Sequence, residues 1–267
     1  MKVCVLGLGE IGNPTADYIS RKGFETFGYD RSNAAVRNAK NIKATSNWNS
    51  IPHDEIEVYI VCVSTGLLRS SRPDMSSIYD VSKRIVSKMR GKPLISIEST
   101  VSAGTCIKIY EDIFNKSVDL VHVPHRYWKE NPIEHGVKQL RVIGGIDEKS
   151  LERGLNFYRR LDIPVHCVST IEIAEMSKIL ENSHRFLQIA FAEELKMICD
   201  EMNLDFEELR NACNTKWNIK ILEARDGICG HCLPKDIHYL ISSCKSNNLL
   251  KTAVAIDKKY RRWIRRR

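Results

Sequence analysis

The sequence predicts an α/β fold with a doubly wound parallel sheet, followed by an all-helical domain with a long central helix. Two observations carry this prediction. As far as residue 169, short apolar segments of strand type alternate with helical segments, which is typical of a parallel sheet covered by helices. From residue 170 to residue 202 runs one helical stretch that contains neither Pro nor Gly. We therefore expect two domains, 1–169 and 170–267.

The first strand and helix stand at the start of the chain. KVCVLGL (2–8) is a short β-branched run that ends in Gly, and a helix should follow from about Ile11 to Gly23, a residue type that stops helices. The next strand, FETFGYD, closes on Asp30. The later strands are VYIVCVST, LISIEST, DLVHVPH and LRVIGG, with a helix at SIYDVSKRIVSKM. In such a sheet, ligands bind at the carboxyl ends of the strands.

Helices make up the second half of the chain. After the long helix, another should begin at DFEELRNAC, because Asp205 and Glu208 have the spacing of a capping box. The last ten residues, KKYRRWIRRR, hold seven Lys and Arg and no acid, so this tail carries most of the net charge of +8. It could bind phosphate, contact RNA or a membrane, or be a solvated helix end, and the helix dipole favours the last. Trp263 and Ile264 suggest that one face is packed.

Composition excludes several classes of protein. With 43% hydrophobic and 28% charged residues, the chain is a globular protein rather than a disordered or fibrous one. The longest apolar run, VYIVCV, is far shorter than the ~20 residues that span a bilayer. Nine cysteines without a secretion signal argue against a disulfide framework, and most are expected to be buried. We expect a cytoplasmic protein without a metal, and we do not expect it to bind nucleic acid or a membrane.

A Gly-rich motif follows the first strand. GLGEIG supplies Gly7, Gly9 and Gly12 of a Rossmann-type G-x-G-x-x-G, and Asp30 stands 18 residues beyond Gly12. The glycines allow a tight turn, approach of a pyrophosphate and close helix packing, while Asp30 would bind ribose hydroxyls and favour NAD over NADP. Arg31 could soften that preference, and the alternative is a turn without a cofactor. Further candidates for binding NAD are Glu10, Ile11 and Thr65.

Two further motifs leave alternatives open. Glu175, Lys178 and Asn182 share one face of the long helix. They form either a solvated stripe with an ion pair, or a face on which Lys178 and Asn182 hold a substrate oxyanion. GICGHCLPKD (227–236) contains Cys229 and Cys232, either as a thiol-disulfide exchange pair or as one activated thiol with a neighbour. Exchange pairs usually belong to a thioredoxin-like fold. Here the motif follows two helices and a dinucleotide-binding motif far upstream, which favours a single reactive thiol, Cys232.

The run of motifs resembles the UDP-glucose/GDP-mannose 6-dehydrogenase family of nucleotide-sugar dehydrogenases. Five segments match in order over nearly all of residues 1–245: GLGEIG, ESTVSAGT, VPHRYWKE, AEMSKILENSHRFLQIAFAEEL and GICGHCLPKD. The resemblance implies an NAD-dependent dehydrogenase that oxidises the alcohol of a UDP- or GDP-sugar to the carboxylate. It also implies a homodimer formed through the long helix, with Leu180, Leu187, Phe191 and Leu195 as an apolar stripe, unless that stripe packs on its own domain.

The same resemblance implies roles for individual residues. Cys232 is the nucleophile that forms a thiohemiacetal and then a thioester, a role suited to a thiolate. Lys178 and Asn182 hold the oxyanion, and Asp236 positions water or the lysine. Thr100 lies near the nicotinamide and Lys235 reaches the cofactor.

The chain departs from the family at three places. Pro124-His125 stands where the family has Pro-Glu, so His125 is either a base near neutral pH or a surface-loop residue. Cys229 stands where the family has Gly, and oxidation to a Cys229–Cys232 disulfide could switch the enzyme off. The chain ends where the family continues into a third domain that grips the nucleotide. We expect a natural two-domain paralogue, a truncation, or half of a split enzyme whose missing domain a separate chain supplies.

Two other functions remain open from the sequence. A β-hydroxyacid dehydrogenase of the 6-phosphogluconate type would transfer two electrons, pairs a lysine with an asparagine four residues on, and does not need Cys232. A non-catalytic NAD-binding paralogue would keep the dinucleotide fold without turnover. Counting NADH per substrate separates these alternatives from the four-electron enzyme.

Overall fold

The structure, a computed structural model, describes residues 1–128 and 130–266. Lys129 of the VPHRYWKE segment and Arg267 of the basic tail lie outside the described residues. The chain divides into two compact units. The first comprises Met1–Leu68 and Pro73–Lys178, and the second comprises Arg69–Arg72 and Ile179–Arg267. The division falls inside the long helix, and the predicted boundary at residue 169 stays a prediction.

The first unit alternates strands and helices. Its strands are β1 (Lys2–Leu6), β2 (Glu25–Tyr29), β3 (Lys43–Thr45), β4 (Val58–Val61), β5 (Gly66–Leu67), β6 (Pro73–Asp74), β7 (Leu94–Ile97), β8 (Asp119–His122), β9 (Arg141–Gly145) and β10 (Val165–Cys167). Its helices are α1 (Gly12–Arg21), α2 (Asn33–Asn38), α3 (Ser76–Lys88), α4 (Thr105–Asp112) and α5 (Glu148–Arg160). Short helical turns lie at Trp48–Ser50 and Ile133–Val137.

Eight of these strands form one sheet, in the order β10-β9-β8-β7-β4-β1-β2-β3. The pairs are parallel except that β8 and β9 are antiparallel, so the sheet is mostly rather than wholly parallel. From β1 the chain first builds outward to β2 and β3, and then crosses back to β4 on the other side. The strand order therefore reverses between β1 and β4, the position at which doubly wound sheets bind ligands.

The burial of the central strands explains why their sequences are mostly apolar. Every residue of β4, β7 and β8 is buried, because helices cover both faces of a parallel sheet. The main apolar core includes Val3, Ile60 and Val121 of the sheet and Phe157 and Tyr158 of α5. Each fully buried Val, Ile or Phe side chain stabilises the fold by roughly 1.5–3 kcal/mol.

The second unit is helical. Its helices are α6 (Ile171–Glu201), which begins in the first unit, α7 (Phe206–Cys213), α8 (Cys232–Ser243) and α9 (Asn248–Ile264). As predicted, Asp205 caps α7, since its side chain accepts the Glu208 N–H at 2.7 Å. The basic tail is the end of α9. Tyr260 is fully buried and stacks on Trp263, which confirms that one face of this basic helix is packed.

The cysteines differ from the expectation. Within the described residues only Cys4, Cys106 and Cys199 are buried, so the prediction that most are buried is wrong. Five are exposed because they lie on loops, on an edge strand or at helix ends, where the core does not cover them: Cys167, Cys213, Cys229, Cys232 and Cys244. In the part of the chain that the structure describes, no helix is both long and apolar enough to cross a membrane.

Candidate active site

The Gly-rich turn between β1 and α1 needs each of its three glycines for a different reason. Gly7 has φ +91°, and a Cβ there would lie 2.7 Å from the Cys62 carbonyl oxygen. A Cβ on Gly12 would lie 1.7 Å from the Gly7 carbonyl oxygen, so only glycine lets α1 begin this close to β1. A Cβ on Gly9 would meet no described atom within 4 Å, which leaves room for a ligand to approach the backbone.

A cleft of about 210 Å³ opens where the strand order reverses. Its lining includes Gly7 and Gly9 after β1, Asp30 after β2, and Val63 and Ser64 after β4. The Asp30 carboxylate accepts the N–H groups of Leu8 and Ser32, each at 2.7 Å, which fixes it at the mouth of the Gly-rich turn. The cleft therefore has the turn, the open glycine and the acid that a dinucleotide requires.

Arg31 also lines this cleft, but it is ion-paired with Asp80 of α3. Arg84, one turn further along α3, contacts the same carboxylate at 3.0 Å. Asp80 therefore pairs with both guanidinium groups, so Arg31 has a carboxylate partner of its own beside the cleft.

The other predicted cofactor residues of this unit lie on loops at the same edge of the sheet. Glu10 is exposed in the turn, and Ile11 directly precedes α1. Thr65, after β4, donates its hydroxyl to the Thr100 carbonyl oxygen at 2.8 Å, which joins the loops that follow β4 and β7. Roles for these four residues in binding stay predictions.

A buried polar cluster, centred on Glu98, lies at the ends of β7 and β8. Glu98 accepts a hydrogen bond from Tyr158 at 2.5 Å and contacts Arg141 at 3.0 Å and the Nε2 atom of His125. All four side chains are at most 3% exposed. Burial alone would raise the pKa of Glu98, but the charges of Arg141 and His125 hold this pKa at about 2.

His125 is therefore not a surface-loop residue, because its side chain is buried in this cluster. Burial and the nearby Arg141 charge lower the pKa of His125 to about 4, so the ring is neutral at neutral pH. The Lys178 charge also lowers the pKa of His125, by less than burial and Arg141 do. Proton acceptance by His125 in a reaction stays a prediction.

Cys62, Glu98 and His125 also form a group of donor atoms within 4.8 Å of one another, a set that the sequence analysis did not foresee. The Glu98 carboxylate already carries the Arg141 and Tyr158 contacts, and a cation there would face the buried Arg141 charge. The set therefore fits a hydrogen-bonded anion better than a metal site. The sequence offered no signal for this set, since Cys62 and Glu98 are 36 residues apart.

Glu175 differs from the expectation of a solvated stripe. Its side chain is fully buried, and its two oxygens accept the N–H groups of Gly104 and Cys106 at 2.6 and 2.7 Å. Gly104, with φ +81°, is the N-cap residue directly before α4. Glu175 thus supplies the carboxylate cap that α4 takes from another helix, and it is not part of a solvent-facing ion pair.

In the second unit, the predicted catalytic residues gather at the start of α8. Cys232 is the first residue of this helix, where unpaired backbone N–H groups favour an anion such as a thiolate. The Asp236 carboxylate, one turn further on, is fully buried and accepts a hydrogen bond from Asn182 of α6 at 2.5 Å. Lys235 contacts the same carboxylate at 2.6 Å. The structure thus brings Asn182 of α6 together with Lys235 and Asp236 in the first turns of α8, the helix that Cys232 begins.

A basic cleft of about 390 Å³ opens beside the segment that leads to Cys232. It lies entirely within the second unit. Its charged lining consists of four cations and one carboxylate: Arg185, Arg210, Lys220, Arg225 and Glu223. Glu223 pairs with Arg225 at 2.9 Å, so the lining retains an excess of positive charge that favours an anion.

Two models of one protein family match the chain. The NAD binding domain of the UDP-glucose/GDP-mannose dehydrogenase family matches residues 35–162, and the central domain of the same family matches residues 172–259. The chain belongs to this family. Membership confirms the resemblance drawn from the five motifs, and the matched NAD binding domain confirms NAD as the cofactor.

Individual relatives agree with this family assignment. The UDP-N-acetyl-D-mannosamine dehydrogenase of Methanococcus maripaludis is 29% identical over 273 residues, which cover 94% of this chain and 64% of that protein. A UDP-D-ManNAc dehydrogenase structure from Pyrococcus horikoshii superposes with TM-score 0.90 at 27% identity, covering 97% of this chain and 69% of that one. This family member thus spans less than two thirds of its Methanococcus relative.

One further solved structure shows the fold alone. The UDP-N-acetyl-mannosamine dehydrogenase of Staphylococcus aureus superposes with TM-score 0.84 at 22% identity, and the match covers 99% of this chain and 69% of that chain. The family's Rossmann-type sheet and helical domain are therefore both present here.

Proposed function

We propose that this chain is an NAD-dependent nucleotide-sugar 6-dehydrogenase that oxidises a UDP-sugar, with UDP-N-acetyl-D-mannosamine as the leading candidate. The observation that carries the proposal is the thiol helix: Cys232 begins α8, and a hydrogen bond joins Asn182 to Asp236 one turn below it. A two-electron hydroxyacid dehydrogenase would have no use for this thiol. The names of the Methanococcus and Pyrococcus relatives supply the sugar.

In the proposed reaction, the Gly-rich turn and Asp30 would hold NAD, which would supply the hydride acceptor for two successive oxidations. The first oxidation turns the C6 alcohol into an aldehyde. The Cys232 thiolate adds to the aldehyde carbon, and the resulting hemiacetal oxygen is held by the Lys178 ammonium and the Asn182 amide. Loss of a second hydride from that carbon gives a thioester. Water then attacks the thioester carbonyl, releasing the acid and returning the thiol to Cys232.

Asp236 has two proposed roles in this reaction. Its hydrogen bond with Asn182 orients the amide, so that the amide N–H groups are presented to the oxyanion in a fixed direction. Its carboxylate also holds the Lys235 ammonium, which we propose reaches the cofactor. Thr100, whose carbonyl oxygen accepts the Thr65 hydroxyl, would line the nicotinamide side of the cleft.

Charge supports a nucleotide sugar as the substrate class. A diphosphate carries negative charge at neutral pH, and the basic cleft offers Arg185 and Lys220 in addition to the two arginines that already pair with glutamates. We propose that this cleft holds the diphosphate. That a separate chain completes the nucleotide grip stays a prediction.

We further propose a homodimer formed through α6. On this helix Leu180 and Phe191 are about half exposed, whereas Leu187 and Leu195 are partly buried against the cores of their own unit. Ile198 and Met202 extend the exposed apolar face.

We also propose the cytoplasm as the compartment. None of the nine cysteines, all of which the structure describes, is in a disulfide, which supports this proposal.

The Cys232→Ser variant tests the covalent mechanism. We expect it to bind NAD and UDP-N-acetyl-D-mannosamine normally and to lose acid formation by about 10³-fold or more, because a serine hydroxyl is a far weaker nucleophile at neutral pH. Cys244→Ser, an exposed thiol at the other end of α8, is the matched control and should leave activity unchanged. Full acid formation by Cys232→Ser would rule out the thioester.

A further inference from the structure

The segment between α7 and α8, which leads to Cys232, lacks regular secondary structure. Its backbone groups therefore depend on other hydrogen-bond partners. Asn214 bonds both peptide groups of Ile221 within the segment, and four side chains from α6 and α9 bond the part that leads to Cys232. The Lys196 ammonium and the Tyr260 hydroxyl donate to the carbonyl oxygens of Ala224 and Arg225 at 3.1 and 2.7 Å. Asp257 and Arg261 of α9 engage the peptide groups of Ile228. We call Lys196, Asp257, Tyr260 and Arg261 the loop clamp.

Asp257 and Arg261 hold one residue from both sides. The Asp257 carboxylate accepts the Ile228 N–H at 2.8 Å, and Arg261 donates through Nη2 to the Ile228 carbonyl oxygen. The same carboxylate accepts from Arg261 Nε at 3.0 Å, so the two clamp residues fix each other as well. Ile228 is 1% exposed, and it lies four residues before Cys232.

The backbone conformation at Gly227 explains why the GICGHCLPKD motif (227–236) begins with glycine. Its φ is +94°, which side-chain-bearing residues rarely adopt, and a Cβ there would lie 2.6 Å from Arg261 Cγ. The Arg261 side chain thus lies directly against the backbone of the loop. This close approach makes the path of the loop depend on where Arg261 is held.

Glu193 of α6 lies beside the clamp. Its side chain is fully buried, and neither carboxyl oxygen has a hydrogen-bond partner among the described residues. Burial and the Asp257 charge raise the pKa of Glu193 to about 8, with Arg261 acting in the opposite direction. Glu193 is therefore uncharged at neutral pH, which leaves Asp257 as the carboxylate that Arg261 faces.

We propose that Asp257 and Arg261 are positioning residues that hold the loop before Cys232, and thereby the thiol, in its reactive place. An ionised Glu193 would offer Arg261 a second carboxylate and weaken its hold on Ile228. The charged or titratable groups that act on Glu193 are Asp257, Tyr260 and Arg261 of α9. Around these groups, Asp226 of the loop acts on Tyr260, Cys229 of the loop acts on Arg261, and Lys196 of α6 bonds the Ala224 carbonyl oxygen. The catalytic consequence rests on the proposed function, but the loop contacts do not.

Hydrogen exchange in the full chain tests the clamp without any substrate. We expect Arg261→Met to speed amide exchange of the 224–232 segment by about tenfold, the loss of one charge-assisted hydrogen bond. Arg262→Met is the matched control, because Arg262 is exposed on the same helix and bonds the carbonyl oxygen of Lys258 in its own helix. Asp257→Asn is the second variant if Arg261→Met fails to fold. Exchange equal to the unsubstituted chain in a folded variant would overturn the proposal.

Kinetics with UDP-N-acetyl-D-mannosamine separate positioning from mere support of the fold. We expect Arg261→Lys to lower kcat about tenfold while KM stays within about twofold, because a misplaced thiol slows chemistry more than binding.

The pH dependence of kcat tests the role of Glu193. We expect kcat of the unsubstituted chain to fall as pH rises through about 8, and we expect Glu193→Gln to keep its kcat up to pH 9. An unchanged kcat in Arg261→Lys, or the same alkaline fall in Glu193→Gln, would overturn the respective role. Absence of turnover in the unsubstituted chain would instead refute the proposed function, and hydrogen exchange would still decide the clamp.

Discussion

His122 and His125 show at the residue scale how burial sets the charge of a side chain. Both lie at the end of β8 and are at most 3% exposed. Burial lowers the pKa of His122 to about 3, and burial together with the Arg141 charge lowers the pKa of His125 to about 4. Both rings are neutral in the folded chain across the pH range in which free histidine takes up a proton.

This neutrality predicts a loss of stability in acid. As pH falls below 6.5 the unfolded chain binds protons at these two positions, while the folded chain does not until pH 4 or lower. At pH 5 each histidine should therefore lower the free energy of unfolding by roughly 2 kcal/mol relative to pH 7.5. The raised pKa of Glu193 acts in the opposite direction over this pH range, so the histidine effect is measured by comparison with a variant. In urea unfolding at both pH values, His125→Gln should lose roughly 2 kcal/mol less than the unsubstituted chain between pH 7.5 and pH 5. Equal pH dependence in the variant would contradict the assignment.

Gly9 and Gly12 predict opposite outcomes for the same substitution. Gly12→Ala puts a Cβ 1.7 Å from a backbone oxygen, so α1 must move from β1, and we expect a loss of about 3 kcal/mol or more of folding free energy. Gly9→Ala meets no described atom, so stability should stay unchanged while NAD binding weakens about tenfold. Thermal melting and calorimetric titration with NAD measure the two effects. A destabilised Gly9→Ala would contradict the open approach at this glycine.

At the scale of elements, Glu175 couples the start of α4 to α6. Glu175→Gln keeps one acceptor oxygen and loses the charge that faces two N–H groups, so we expect a loss of about 1–3 kcal/mol in folding free energy. Glu172→Gln, in the first turn of the same helix and only partly buried, is the matched control and should cost little. Denaturant unfolding of both variants gives the comparison, and equal stabilities would contradict the capping role.

Local sequence patterns predicted the elements well, because strands, capping residues and the Gly-rich turn are set by residues a few positions apart. Asp205 was recognised as a cap from the glutamate three residues later, and the structure confirms it. Glu175 was not recognised, since its partners lie 71 and 69 residues away. A one-dimensional pattern places Glu175 beside Lys178 on one helix face but gives no sign that another helix begins there.

The buried clusters around Glu98 and Glu193 escaped prediction for the same reason. Arg141 and Glu193 look like surface charges in the sequence, and only the folded chain shows that both side chains are fully buried. Cys232 differs, because its role follows from a motif of ten consecutive residues. The candidate nucleophile could thus be predicted from sequence, whereas the groups that hold its loop could not.

At the scale of the whole molecule, the exposed apolar face of α6 predicts self-association. Phe191→Asp places a charge in the middle of that face, where Phe191 is 54% exposed, and should convert the dimer into a monomer. Leu249→Asp alters a leucine on α9 that is 69% exposed and should leave the dimer intact. Light scattering after gel filtration gives the mass of each variant. A single mass shared by both variants and the unsubstituted chain would contradict pairing through this face.

The most direct test of the whole account is the number of NADH formed per molecule of UDP-N-acetyl-D-mannosamine consumed. Oxidation of an alcohol to a carboxylate removes two hydrides, so the account predicts two NADH per acid, measured by absorbance against acid quantified by mass spectrometry. The chain as it stands, with NAD in excess, is the protein to use. One NADH per substrate with an accumulating aldehyde or ketone, or NAD binding without any NADH from UDP- and GDP-sugars, would contradict it.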